Sequence, residues 1–101
     1  MKGSGNVFAD LGFANADELA LETELLRRII AIIRDSRLSQ RAAARVLGID
    51  QPKVCALMNG NPRGFSVSRM IRLLAALGQD VEIRIRPKAR SRARAVIRVA
   101  A

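Results

Sequence analysis

The spacing of apolar residues along the chain predicts a mainly helical protein. From Ala16 to Asp35 apolar residues recur at intervals of three and four, so we expect a long helix with a broad buried face. Asn15 precedes this helix as a cap, and Glu18 follows three residues later as in a capping box. The predicted apolar stripe consists of Leu19, Leu26, Ile30 and Ile33, widened by Leu25, Ile29 and Ile32.

Shorter helices are predicted next, each marked by residues that begin and end helices. Ser, Asp and Asn side chains favour helix starts, whereas glycine favours helix ends. Pro52 fits the first turn of a helix, where no backbone donor is lost. The first short helix runs from Gln40 to Leu47, with Ser39 as its N-terminal cap and Gly48 at its end. The next is capped by Asp50 and ends at Asn59-Gly60, and the last is capped by Ser66 and ends at Gly78.

After the last predicted helix, apolar residues recur at every second position. Val81, Ile83 and Ile85 alternate with charged residues, which predicts a strand that Pro87 ends. A single strand cannot satisfy its own backbone hydrogen-bonding groups. The simplest partner is the same strand of a second copy, so the sequence predicts a homodimer that is joined through these three residues.

Length and composition suggest one domain with two flanking segments. The chain has 101 residues and no internal repeat. Residues 1–14 show no regular spacing of apolar residues and are predicted to be a flexible arm. Residues 15–87 contain the predicted helices and the strand. Residues 88–101 are rich in Arg and Ala, which is typical of a disordered basic arm. The predicted fold class is mainly α, with four to five helices and one C-terminal strand.

Charge points to an anionic partner. The chain carries 18 Lys and Arg residues against 9 Asp and Glu residues, a net charge of +9. Residues 36–79 hold seven cations and a single carboxylate, while residues 1–35 are slightly acidic. Fifteen of the cations are arginine, which is well suited to forked contacts with phosphate. This balance favours nucleic acid as a partner.

Missing residue types exclude several kinds of chemistry. The sequence has no His, and Cys55 is its one cysteine. Zinc sites made of several Cys or His, Ser-His and Cys-His nucleophilic pairs and intramolecular disulfides are therefore excluded. We expect no metal, no cofactor and no enzymatic activity. No apolar run approaches the length of a membrane span, and the start lacks the apolar core of a signal peptide, so we expect a cytoplasmic protein without a membrane partner.

Residues 38–57 meet the physical demands of a helix-turn-helix. Ala43 is small enough for the point where two helices touch, and Gly48 tolerates the conformation that the tight turn needs. The outer side of the second helix keeps Gln51, Lys53, Ala56 and Asn59. A plain helical hairpin is the alternative, but the basic block coincides with this segment. The residues predicted to fill the shared core are Val46, Leu47, Ile49, Val54 and Leu57.

These motifs resemble the Xre (lambda-repressor-like) helix-turn-helix family, over roughly residues 7 to 87. The wider stretch is similar to the HigA-like antitoxin branch of that family. The resemblance to the family rests on Leu38-Ser39-Gln40, Ala43, Leu47-Gly48-Ile49, Val54, Leu57 and Asn59-Gly60. The resemblance to the branch rests on Gln51-Pro52-Lys53-Val54, Phe65-Ser66, Leu73 to Gly78, Val81-Glu82-Ile83 and Pro87, with Val7 to Phe13 at the start.

The resemblance implies a repressor that binds double-stranded operator DNA as a dimer. Members of this branch often sit beside a ribonuclease toxin of the RelE or HigB kind, so the resemblance also implies autorepression and neutralisation of such a toxin. Two alternatives stay open. One is a stand-alone Xre-type regulator without a toxin, and the other is a basic protein that coats nucleic acid without sequence preference.

The resemblance also implies roles for individual residues. Gln51 would face a base edge in the major groove, with Lys53 and Ala56 on the same side. Cys55 stands where this branch often has Ser, which leaves open whether it contacts DNA or packs. Phosphate contacts are expected from Ser39, Gln40, Arg41, Asn59 and Arg63. Taken singly, each basic-block arginine is better explained as a solvated surface charge, and only as a group could they supply phosphate contacts; they are Arg41, Arg45, Arg63 and Arg69.

Overall fold

A computed structural model describes residues 15–100, and four helices lie in this part of the chain. They are α1 (Asn15–Asp35), α2 (Gln40–Leu47), α3 (Gln51–Met58) and α4 (Val67–Ala76). The mainly helical fold is confirmed. Asn15, predicted as a cap, is itself helical, and the predicted arm at residues 1–14 lies outside the described residues. Of the helices described, none has both the length and the apolar character that a membrane crossing requires.

The core is aliphatic and draws on all four helices. α1 packs mainly against α4, and α2 mainly against α3. Ile29 of α1, Ala43 of α2, Val54 and Leu57 of α3 and Met70 of α4 have no exposed surface. Phe65, in the loop before α4, is the one aromatic residue of this core cluster among the described residues. Tertiary packing of these apolar faces, more than intrinsic propensity, stabilises helices as short as α2 and α3.

Two residues predicted for the core are exposed instead. Leu19 is 55% exposed because the core cluster on α1 begins only at Leu21, so the stripe extends beyond the packed region. Val46 is 44% exposed because α2 buries only Ala43 and Leu47, which lie one turn apart. Ile49 is half-buried against the core. The apolar pattern therefore indicates the buried face of each helix but not how far its neighbour covers it.

The capping predictions are confirmed for the three short helices. The Ser39 hydroxyl accepts a hydrogen bond from the Ala42 amide (3.0 Å), and the Asp50 carboxylate accepts one from the Lys53 amide (3.1 Å). The Ser66 hydroxyl accepts from the Arg69 amide (3.1 Å). Each cap satisfies a donor that the first helical turn leaves unpaired. Together they fix where α2, α3 and α4 begin.

Gly48 makes the turn between α2 and α3 possible. Its φ is +69°, and its amide donates to the Ala44 carbonyl oxygen (2.9 Å). This left-handed conformation is accessible to glycine at little cost but strains most other residues. Only three residues separate the two helices, so Gly48 sets the angle at which α3 leaves α2.

Replacing Gly48 with alanine is expected to lower the free energy of unfolding by about 1–2 kcal/mol. A Cβ at this position would meet no atom within 4 Å, so the loss would come from backbone conformation and not from a clash. Urea denaturation of the variant measures it. Gly48→Asn is the matched control and should lose less, because asparagine tolerates the left-handed region better than alanine. Equal losses for the two variants would contradict this explanation.

The predicted strand at residues 81–86 is not formed within the single chain. No strand occurs in residues 15–100, and Ile83 and Ile85 are 75% and 90% exposed. If this strand pairs with a second copy of the chain, its hydrogen-bonding partner is absent from a single protomer. The pairing through Val81, Ile83 and Ile85 therefore stays a prediction.

The basic tail returns to α1. Arg94 forms an ion pair with Asp17, and Nη2 of Arg28 donates to the carbonyl oxygen of Ala100 (2.9 Å). Ile97 and Val99 are half-buried against the core. Part of the predicted basic arm therefore contacts α1 and the core, and its aliphatic residues Ile97 and Val99 make the apolar contacts.

Candidate nucleic-acid interface

The outward side of α3 is a row of polar and small side chains. Val54 and Leu57 face the core with no exposed surface, which fixes the rotation of the helix about its axis. Gln51, Cys55 and Asn59 are exposed and lie four residues apart, so they form one row on the opposite side. Asn59 also ends the helix and donates from Nδ2 to Sγ of Cys55 (3.7 Å).

Cys55 is the member of this row that the sequence did not assign. Cys55 is exposed and lies outside the core cluster, and contact with DNA at this position stays a prediction. The signal was present in the sequence, since Gln51, Cys55 and Asn59 repeat at the helical interval of four. A thiol is a weak donor, so this position adds contact area more than hydrogen bonding.

Lys53 and Ala56 do not share a single face with Gln51. Successive helical residues turn by about 100°, so Lys53 lies roughly 160° around the axis from Gln51. Lys53 is exposed, whereas Ala56 is half-buried between the two. Gln51 and Lys53 therefore lie at opposite edges of the exposed side of α3. The row of Gln51, Cys55 and Asn59 occupies the half of that side nearer to Gln51.

The residues expected to contact phosphate surround α3 in two groups. Ser39, Gln40 and Arg41 are exposed at the start of α2, where the backbone amides of the first turn favour anions. Arg63 is exposed in the loop between α3 and α4, and its amide donates to Oδ1 of Asn61 (3.0 Å). The structure thus places one group before the turn and the other after α3.

Arg69 braces the loop that carries Arg63. Its guanidinium lies over the Phe65 ring, 5.2 Å from the centroid, and Nη1 donates to the Gly64 carbonyl oxygen (3.3 Å). The buried Phe65 ring anchors this contact. A simple solvated charge was the expectation for Arg69. The spacing of four between Phe65 and Arg69 could have indicated the contact, although one of the two residues lies outside the helix.

The cations near α3 carry no carboxylate partner in the described part of the chain. The ion pairs of the described residues join Glu24 to Arg27 and Arg28, and Asp17 to Arg94. The cations of residues 36–79 take part in none of them. Within residues 15–100 their charge is consequently not neutralised by carboxylates, which suits an interface with phosphate. Over residues 15–100 no group of His, Cys, Asp or Glu is placed to hold a metal ion.

Comparison with known proteins agrees with this geometry. The profile of the helix-turn-helix domain family matches residues 7–86. A solved structure named as an XRE-family transcriptional regulator is 53% identical, with a TM-score of 0.84 over 87% of this chain and 99% of that one. No curated protein matches the sequence. The chain therefore belongs to the helix-turn-helix domain family and to the XRE family of transcriptional regulators.

Proposed function

We propose that this protein is a sequence-specific DNA-binding repressor that inserts α3 into the major groove of its operator. The observation that carries the proposal is the exposed row Gln51, Cys55 and Asn59 on a capped helix, in a part of the chain whose cations lack carboxylate partners. A helix with a fixed rotation and a polar outer side is what direct readout of base edges requires.

The outward residues of α3 and its surroundings each have a defined part in this mechanism. The Gln51 amide can make two hydrogen bonds to adenine, and Ala56 can contact a thymine methyl group. Lys53, at the other edge of the arc, reaches a base or a phosphate. Contacts to phosphate fix the position of the protein on the duplex without reading its sequence. The residues that make them are Ser39, Gln40, Arg41, Asn59 and Arg63.

The repressor acts as a homodimer in this proposal. Val81, Ile83 and Ile85 lie on an exposed segment whose alternation suits pairing with the same segment of a second copy. Such pairing gives a twofold-symmetric molecule with two copies of α3. We expect the two half-sites to lie about 34 Å apart, or a multiple of that distance.

Selection from random duplexes tests the proposal against non-specific coating. Several rounds of binding followed by sequencing should return one motif with twofold symmetry. Affinity for that motif should exceed affinity for random duplex by about 10³-fold or more. A coating protein would instead retain all duplexes equally, with a steep dependence on salt. Equal retention of every sequence would overturn the proposal.

We further propose that the repressor is the antitoxin of a module with a ribonuclease toxin of the RelE or HigB kind. The support is the resemblance of residues 7–87 to the HigA-like branch. Calorimetry against the product of the adjacent gene tests it. A stable complex that blocks ribonuclease activity is expected, whereas an adjacent gene of another kind, or no heat of binding, favours a stand-alone regulator.

A further inference from the structure

An extended segment of the C-terminal tail lies along α1. Its polar anchors are the Arg94–Asp17 ion pair at one end and the Arg28–Ala100 hydrogen bond at the other. Eleven residues of α1 between the anchors span about 16 Å. Six extended residues of the tail span about 20 Å. The two lengths are similar, so residues 94–100 run along α1 in the same direction as the helix.

The docked segment alternates as a strand does. Ile97 and Val99 are half-buried against the core, whereas Val96, Arg98 and Ala100 are exposed. Asp17 of α1 pairs with Arg94, and the core cluster, to which Leu21 and Leu25 of α1 belong, packs against Ile97 and Val99. This surface therefore selects an arginine followed, three and five residues later, by aliphatic side chains.

The front half of α1 is acidic in an otherwise basic chain. Four of the nine carboxylates of the sequence lie within residues 17–24. Burial raises the pKa of the Glu22 carboxyl, and the neighbouring Glu18 raises it further. A basic segment lowers the electrostatic cost of such a cluster, so the charge of this surface matches that of the tail that covers it.

The tail is held weakly enough to exchange. The side chains of Arg94 and Asp17 are 56% and 36% exposed, and ion pairs in that position are screened by solvent. An open groove of about 440 Å³ lies beside this ion pair, and Asp17 is its one lining residue from α1 while the others belong to the tail. Residues 80–93 are all exposed and connect the tail to α4.

We infer that the side of α1 between Asp17 and Arg28 is a docking surface for an extended basic and aliphatic segment of a partner protein. The chain's own residues 94–100 occupy this surface until the partner displaces them. No residue of α2 or α3 lines the groove, so the inference is independent of how α3 reads DNA. Displacement would release the tail arginines at the same time.

A labelled peptide with the sequence of residues 92–100 tests this inference on the full chain. Arg94→Glu with Ile97→Asp removes both kinds of tail contact and leaves α1 unchanged. Arg90→Glu with Val96→Asp is the matched control, because it alters the charge equally at exposed positions. In the wild type and the control, the chain's own tail competes with the peptide at an effective concentration on the order of millimolar. The peptide should consequently bind the first variant at least 10-fold more tightly than the control or the wild type.

Adding Asp17→Arg to the first variant should weaken peptide binding at least 5-fold. Circular dichroism of each variant confirms that the helices are intact. Equal binding to all variants would show charge attraction without a defined site. Either that result, or no binding to any variant up to about 1 mM peptide, overturns the inference.

Discussion

Replacing Leu57 with alanine is expected to lower the free energy of unfolding by about 2–5 kcal/mol. Leu57 has no exposed surface and holds the inner side of α3 in the core. The substitution removes three buried carbon atoms and leaves a cavity that the closely packed core around α3 cannot fully close. Natural domains are stable by only about 5–15 kcal/mol, so a large part of the total would be lost.

Urea denaturation with circular dichroism measures this loss, and Leu19→Ala is the matched control. Leu19 is 55% exposed, so its replacement should change the free energy of unfolding by about 0.5 kcal/mol or less. The same chemical change is thus made at a buried and at an exposed leucine. Similar losses at the two positions would contradict the assignment of the core.

The Ile83→Pro variant is expected to be monomeric and to bind a two-half-site operator about 10²- to 10⁴-fold more weakly than the wild type. Proline has no backbone N–H, so it removes a donor from the strand ladder that we propose between two copies. Without that ladder the two copies of α3 are no longer linked. The second half-site then loses the advantage of an intramolecular binding step.

Light scattering gives the mass, and titration of operator DNA gives the affinity. Lys88→Pro is the control, because it follows Pro87 and lies outside the predicted strand. It should leave both mass and affinity unchanged. A wild-type protein that is monomeric at the concentrations where it binds the operator would contradict the proposed dimer.

Local features of the fold could be predicted from the sequence because their causes are local. Ser39, Asp50 and Ser66 cap helices through atoms three residues away, and Gly48 adopts its turn through its own lack of a side chain. The buried face of each helix also followed from spacing alone. Leu19 and Val46 were misplaced because the exposure of a residue depends on how far another helix reaches, which spacing does not contain.

The candidate site was predicted in part for the same reason. The outer residues of α3 follow from its period once Val54 and Leu57 are placed in the core, so Gln51 could be named in advance. The exposure of Cys55 was not predicted, because its residue type suggested packing. The contact of Arg94 with Asp17 joins positions 77 residues apart, and no local pattern indicates it.

The most direct test of the account compares Gln51→Ala with Gln40→Ala on the selected operator. Loss of the Gln51 amide should cost about 1–3 kcal/mol on the operator and reduce its preference over single-base variants at one position in each half-site. Loss of the Gln40 side chain should weaken binding to all DNA sequences equally. If Gln51→Ala discriminates the operator from random duplex as well as the wild type does, α3 does not read DNA through Gln51 and the account is contradicted.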